Sequence, residues 1–235
     1  MNNMLYKTSV TLYNSYFDCN DRLTTKSILS IFQDVASTHA EEIGVGYESM
    51  LKQNLYWVLS RIKIDIIRMP APNETVIVET WPHKKGRIDF DRDLKISNLK
   101  GETLIIGTSK WCVIDTVKRM LQRSDNVNYS GECVEIKNYE NNFEKITIPN
   151  NDEQYKFTYN VKFSDLDHNQ HMNNTNYANL VINAIENKTY THFEINFKNE
   201  CVLGDNISVY TVKNNNEEYV TGKSEDKVYF IAYTK

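Results

Sequence analysis

Apolar positions along the chain follow two periods, and the switch between them happens twice. Over Ser27–Ile43, residues Ile28, Leu29, Ile31, Phe32, Val35, Ala36, His39 and Ile43 recur at helical spacing, which predicts an amphipathic helix. Val10–Phe17, ahead of it, reads as extended. Behind it, runs rich in β-branched and aromatic residues predict strands at Tyr56–Ile67, Thr75–Trp81, Ile88–Ser97 and Thr103–Asp115, with turns at MPAPNE and LKGE. The polar stretch Ser124–Glu153 follows, with CVEI and KITI as candidate short strands inside it. Then the order restarts. Lys156–Phe163 reads as extended. Thr175–Glu186 predicts a helix, with Tyr177, Leu180, Val181, Ala184 and Ile185 on one face. Strands are predicted at Thr191–Phe197, Asn206–Lys213, Glu218–Thr221 and Val228–Thr234.

This repetition predicts two α+β units. Laying Phe17 on Phe163 gives an offset of 146 (163 − 17) and places Asp21 on Asp167. After the helix, IDIIRMPAPNETV (Ile64–Val76) falls on INFKNECVLGDNI (Ile195–Ile207) at an offset of 131 (195 − 64). On that register Asp167, Asn169 and His171 face Asp21, Leu23 and Thr25, and Glu200 and Cys201 face Met69 and Pro70. One copy carries an ionisable constellation that the other lacks. Packing gives no reason for that asymmetry; one active site beside a binding half does.

Composition narrows the classes. The 235 residues are 40% apolar and 25% charged, as in ordinary globular chains. A formal charge of −4 gives no basic field for nucleic acid. No signal-like start and no membrane-length apolar run is present, so a cytoplasmic location is expected. Cys19, Cys112, Cys133 and Cys201 form no CxxC pair, so neither a zinc site nor disulfides are expected.

The constellation lies in FSDLDHNQHMNN, Phe163–Asn174. Asp167, Asn169 and His171 alternate into the second helix, with Asn173 or Asn174 as its expected N-cap. A helix N-terminus suits a developing oxyanion, His171 can move protons, and Glu200–Cys201 is expected to reach the loop from the returning strand. Together these are the parts of an acyl hydrolase. A helix-capping Asx turn with solvated histidines is the structural alternative. An EF-hand reading fails, because Gln170 stands where the turn Gly belongs and Asn176 where the bidentate Glu belongs. His168 and His171 lack the i, i+4 spacing of a helical metal pair. Cys201 suits a small buried hydrophobe as well as a nucleophile.

LDHNQHMNN resembles the D-x-N-x-H-x-N-N motif of acyl-acyl carrier protein (acyl-ACP) thioesterases. NECVLGD is similar to that family's downstream acidic–Cys segment. YWVLSRIKIDIIRMPAPNETVIVETWP and GTSKWCVIDTVKRMLQR resemble strands of its N-terminal half. The resemblance implies an α+β double hotdog, two tandem units each with a curved antiparallel sheet around a central helix. It implies an N-terminal, non-catalytic unit (1–123) holding the acyl pocket, a linker (124–153) and a catalytic unit (154–235). It also implies cofactor-free hydrolysis of fatty acyl-ACP in fatty acid biosynthesis, releasing free fatty acid. Carried over by motif, Asp167, Asn169, His171, Glu200 and Cys201 are the catalytic residues, with Glu200 as base or Cys201 as nucleophile left open. Expected acyl contacts are Phe32, Val35 and Trp57. Because acyl carrier protein is acidic, Lys84, Lys85, Arg87, Lys118 and Arg119 are the expected docking residues. An acyl-CoA thioesterase and a non-catalytic acyl-binding sensor are the rival readings, and a homodimer is left open. The short link between Ile185 and Thr191 departs from the family pattern.

Overall fold

The computed structural model describes residues 4–129, 133–141 and 143–235. The chain divides into two compact units, Met1–Asn142 and Phe143–Lys235. The first contains β1 (Tyr6–Thr11), α1 (Thr25–Glu42), α2 (Tyr47–Leu51), β2 (Leu55–Ile66), β3 (Thr75–Pro82), β4 (Asp89–Asn98) and β5 (Thr103–Asp115). The second contains β6 (Gln154–Asn160), α3 (Asn176–Ala184), β7 (His192–Phe197), β8 (Asn206–Asn214), β9 (Glu217–Lys223) and β10 (Val228–Thr234).

Within the first unit the strands are ordered β1-β3-β4-β5-β2, and within the second β6-β8-β9-β10-β7. Every pairing within a unit is antiparallel. The two orders are the same when each unit is numbered from its own first strand, so the repeat legible in the sequence is a repeat of topology. In each, an amphipathic helix lays its apolar face on the sheet. α1 buries Ile28, Leu29, Ile31, Phe32, Val35 and Ala36, and α3 buries Tyr177, Ala178, Leu180, Val181 and Ala184. This is the hotdog arrangement. Phe32 shows how close the helix comes: a Cβ on Gly107 of β5 would lie 2.9 Å from its ring.

Several local expectations change. Val10–Phe17 is not one extended segment, because β1 ends at Thr11 and Asn14–Tyr16 forms a single 3-10 turn. Lys156–Phe163 likewise ends in a 3-10 turn at Phe163–Asp165. In both copies the chain must turn sharply from the strand towards the helix. CVEI and KITI form no strands. Instead residues 133–141, inside the stretch expected to be a linker, are held on the first unit by side chains. Trp81 Nε1 donates to the Ile136 carbonyl, Asn138 Nδ2 donates to the Leu94 and Gly107 carbonyls, and Lys63 Nζ donates to the Asn141 carbonyl. A segment satisfied in this way has no need of a strand partner. The short α2 carried no long periodic pattern and was not foreseen.

The structure also corrects the repeat register. The bridge Phe17–Leu23 corresponds to Leu166–Met172, an offset of 149 (166 − 17). Left-handed Asp21 corresponds to left-handed Gln170, at φ 55° and 64°. After the helix the offset of 131 holds. Ile67 and Arg68 both donate to the Leu104 carbonyl as Lys198 and Asn199 do to that of Tyr229, and Glu74 caps Ala71 as Asp205 caps Val202. The second copy is therefore 18 residues shorter (149 − 131), most of it because nine-residue α3 stands where the first copy has 18-residue α1 and five-residue α2.

A buried carboxylate closes the shortened helix. Glu218 accepts from the backbone N–H groups of Glu186 and Asn187 at 2.7–3.0 Å, while Lys188 Nζ donates to the Ile182 and Ile185 carbonyls. Glu218→Ala would leave those N–H groups without an acceptor. The expected loss is about 3 kcal/mol of unfolding free energy, read as a lower denaturation midpoint. An unchanged midpoint would show that water replaces the carboxylate at no cost.

Candidate active site

The loop from Leu166 to Met172 is built by one carboxylate. Asp167 Oδ1 accepts from the backbone N–H of Asn169 at 2.8 Å and of His171 at 3.4 Å, and the Asp167 N–H donates to the His171 carbonyl at 2.8 Å. This is an Asx turn, and it needs the left-handed Gln170 to close. Just upstream, Asp165 ties the loop to its surroundings. Its Oδ2 accepts from the Tyr159 hydroxyl and the Lys162 N–H, both at 2.8 Å, and its carbonyl accepts from the Asn173 N–H and Asn176 Nδ2.

The turn aims His171 at Glu200, with Nε2 and Oε2 3.3 Å apart. The histidine is largely shielded and the carboxylate partly open to solvent, their side chains 19% and 40% exposed. Water can therefore reach the carboxylate while the imidazole stays ordered. Glu200 and Cys201 lie in the turn after β7, beyond its last residue Phe197, and not on the strand itself. Asn169 uses its backbone N–H in the turn, and its carboxamide makes no hydrogen bond among the described residues. The helix N-cap is Thr175, without a side-chain cap bond, in place of the expected Asn173 or Asn174. Asn173 instead accepts from the Thr175 N–H and hydroxyl.

Cys201 is fully buried. Burial pushes its thiol up to about 12. A thiol in that state is not a ready nucleophile at neutral pH. Its carbonyl accepts from the Met172 N–H at 2.8 Å, joining the Glu200 turn to the His171 loop.

The first unit shows the same turn without the pair. At an offset of 149, Asp167, Asn169 and His171 correspond to Asp18, Asn20 and Arg22. Asp18 Oδ1 accepts from the N–H groups of Asn20 and Arg22 at 2.8 and 3.0 Å, as Asp167 does. The sequence alignment had opposed Asp21, Leu23 and Thr25, so it overstated what the first copy lost. Asp and Asn are kept; His171 and Glu200 are replaced by Arg22 and Met69.

The expected acyl contacts are apolar and lie in the first unit. Phe32 and Val35 are buried under its sheet, and Trp57 is half-buried, edge-on to Phe90 with Nε1 donating to the Val45 carbonyl. Of the basic residues, Lys84, Arg87, Lys118 and Arg119 are exposed. Lys85 differs: it donates to the Val127 carbonyl and lies over the Tyr129 ring at 4.6 Å. Among the described residues no cluster of three metal-ligating side chains occurs, and no helix is long and apolar enough to cross a membrane.

Comparison with known proteins follows the same division. The family model for the acyl-ACP thioesterase N-terminal domain matches residues 3–128, and that for the C-terminal domain matches residues 148–228. The chain is 31% identical over 214 residues to a chloroplastic oleoyl-acyl carrier protein thioesterase of Coriandrum sativum, covering 82% of this chain and 58% of that protein. It is 28% identical over 238 residues to oleoyl-acyl carrier protein thioesterase 2 of Arabidopsis thaliana, covering 92% of this chain and 65% of that protein. The chain thus spans less than two thirds of the curated relatives' length. Two solved structures share the double hotdog fold. An acyl-ACP thioesterase from Bacteroides thetaiotaomicron has a TM-score of 0.83 at 24% identity, covering 98% of this chain and 97% of that one. A 12:0-ACP thioesterase from Umbellularia californica has a TM-score of 0.80 at 21% identity, covering 100% and 98%.

Proposed function

Since this chain belongs to the acyl-ACP thioesterase family, we propose that it hydrolyses the thioester of a fatty acyl chain on acyl carrier protein. The observation that carries this reading is the His171–Glu200 pair, present on a turn whose first-unit counterpart has Arg22 and Met69 instead. Glu200 takes a proton from water as the water oxygen bonds to the thioester carbonyl carbon. The Asn169 carboxamide donates to the carbonyl oxygen as it becomes an oxyanion. His171 orients Glu200 and relays the proton. The C–S bond then breaks, the proton passes to the departing sulfur, and the products are a free fatty acid and the carrier thiol. No cofactor enters this sequence. Asp167 shapes the turn, and Cys201 stays a thiol throughout.

On the same reading the first unit (1–123) is non-catalytic, with Phe32, Val35 and Trp57 against the acyl chain, and the unit at 154–235 carries the chemistry. Lys84, Arg87, Lys118 and Arg119 meet the acidic carrier protein, and Lys85, tied to Val127, contributes less. Lys84→Glu is then expected to raise KM about fivefold for acyl-ACP and to leave a small acyl thioester unaffected. An equal loss on both substrates counts against docking there.

The test of the function is free-thiol release from short to long acyl-ACPs and the matching acyl-CoAs, with Glu200→Gln as control. Turnover on acyl-ACP that vanishes in the control supports the reading. Turnover on acyl-CoA alone moves the carrier, and acyl binding without release replaces hydrolysis by sensing.

A further inference from the structure

Asp165 is a buried carboxylate that makes no ion pair among the described residues. Its Oδ2 is held by two neutral donors, the Tyr159 hydroxyl and the Lys162 N–H, both at 2.8 Å. Burying a charge without an opposite one costs free energy that neutral donors offset only in part. The residue stands at the base of the loop that carries Asp167, Asn169 and His171. The Asn173 N–H closes that loop onto the Asp165 carbonyl at 2.8 Å, and Asn176 Nδ2, on the first residue of α3, reaches the same carbonyl at 3.0 Å. Through Tyr159 the carboxylate also fixes the loop to β6. One residue thus joins strand, loop and helix.

The first unit follows the same backbone course without these side chains. At an offset of 149, Asp165 corresponds to Tyr16, Tyr159 to Val10 and Asn176 to Ser27. The Tyr16 carbonyl accepts from the Thr24 N–H at 3.0 Å, and the Asp18 N–H donates to the Arg22 carbonyl at 2.9 Å, as in the second unit. The loop therefore closes there with no carboxylate at its base. The helix that follows is capped by Thr24, whose hydroxyl accepts from the Ser27 N–H at 3.1 Å. α3 has no side-chain cap and is tied through Asn176 to Asp165 instead. The hotdog needs neither Asp165 nor Tyr159. Both occur in the copy with His171 and Glu200, and neither in the copy with Arg22 and Met69.

We propose that Asp165 is a positioning residue for the thioesterase reaction: with Tyr159 it fixes the base of the loop, so that the Asn169 carboxamide and His171 keep their places beside Glu200. The assignment rests on the hydrolase reading above. It gives the Asp165 carboxylate no contact with substrate and no share in proton transfer.

The test compares Asp165→Ala, Asp165→Asn and Tyr159→Phe in the full chain. On acyl-ACP, Asp165→Ala is expected to lower kcat about 10- to 100-fold, as for a small misplacement of a catalytic group, with KM changed by less than about twofold. Both donors meet the same oxygen, so asparagine, which keeps an acceptor there, should restore kcat to within about threefold of wild type. Tyr159→Phe, which keeps the ring, should lose about three- to tenfold, and adding it to Asp165→Ala should cost little more, because the two side chains act as one unit. In histidine-labelled protein, the His171 ring-nitrogen resonances are expected to move in Asp165→Ala and Tyr159→Phe and to stay near wild type in Asp165→Asn. Wild-type kcat in Asp165→Ala and Tyr159→Phe, or unmoved His171 resonances in them, overturns the proposal. An Asp165→Asn variant as slow as the alanine one overturns it too, because the charge itself would then be needed. If Asp165→Ala fails to fold, Tyr159→Phe decides by the same two readouts. If the wild type releases no thiol from any acyl thioester, the hydrolase reading fails, and the resonances alone still decide whether Asp165 holds His171 in place.

Discussion

Glu200→Gln is expected to slow thioester hydrolysis by at least about 10²-fold at saturating substrate, the usual contribution of a positioned general base. Glutamine keeps the size of the side chain and its reach towards His171 but cannot take the proton from water. His171→Ala should cost a similar factor, because Glu200 then loses the imidazole 3.3 Å away that orients it. If the two side chains work as one unit, the double variant should be little slower than either single one, as is usual when catalytic groups are coupled. Single-turnover thiol release measures all three. Multiplying losses in the double variant would mean two independent roles, and near-normal turnover in Glu200→Gln would remove it as the base.

The reason for placing the effect on this pair is the comparison between copies, and only part of that comparison was legible from sequence. Strands with sustained apolar patterning were read well; Thr103–Asp115 begins and ends where predicted. The offset of 131 was also right, because turn residues such as those around Asn73 and Gly204 recur in register, both with positive φ. The offset of 146 was wrong by three because it matched Phe17 to Phe163 by residue type. What repeats there is a hydrogen-bonding pattern, an aspartate accepting from the second and fourth N–H beyond it, and its apolar flank is Phe17 in one copy and Leu166 in the other. Hydrophobic pattern does not carry such a turn. Nor does it carry the meeting of His171 with Glu200, which depends on how the turn after β7 folds back.

Asp167→Ala is expected to lower kcat by about 10²-fold, and Asp167→Asn by less than about tenfold. In the first unit Asp18 makes the same turn, accepting from Asn20 and Arg22, although Arg22 and Met69 stand there in the places of His171 and Glu200. An aspartate kept on those terms is kept for the backbone it shapes. Asparagine retains the Oδ1 acceptor and is at home in Asx turns, so it should rebuild the bonds to the Asn169 and His171 N–H groups; alanine cannot. Loss of the turn would release His171 from Glu200 and move the Asn169 carboxamide, and misplacement on the scale of an ångström accounts for the expected factor. A carboxylate acting as nucleophile or proton acceptor predicts the reverse order of severity, because asparagine would be as inert as alanine. The ratio of the two variants' kcat values on one acyl-ACP therefore separates the roles. A ratio near one with both variants crippled would make Asp167 a participant in the chemistry, and a ratio of ten or more in favour of asparagine would make it the residue that holds the participants in place.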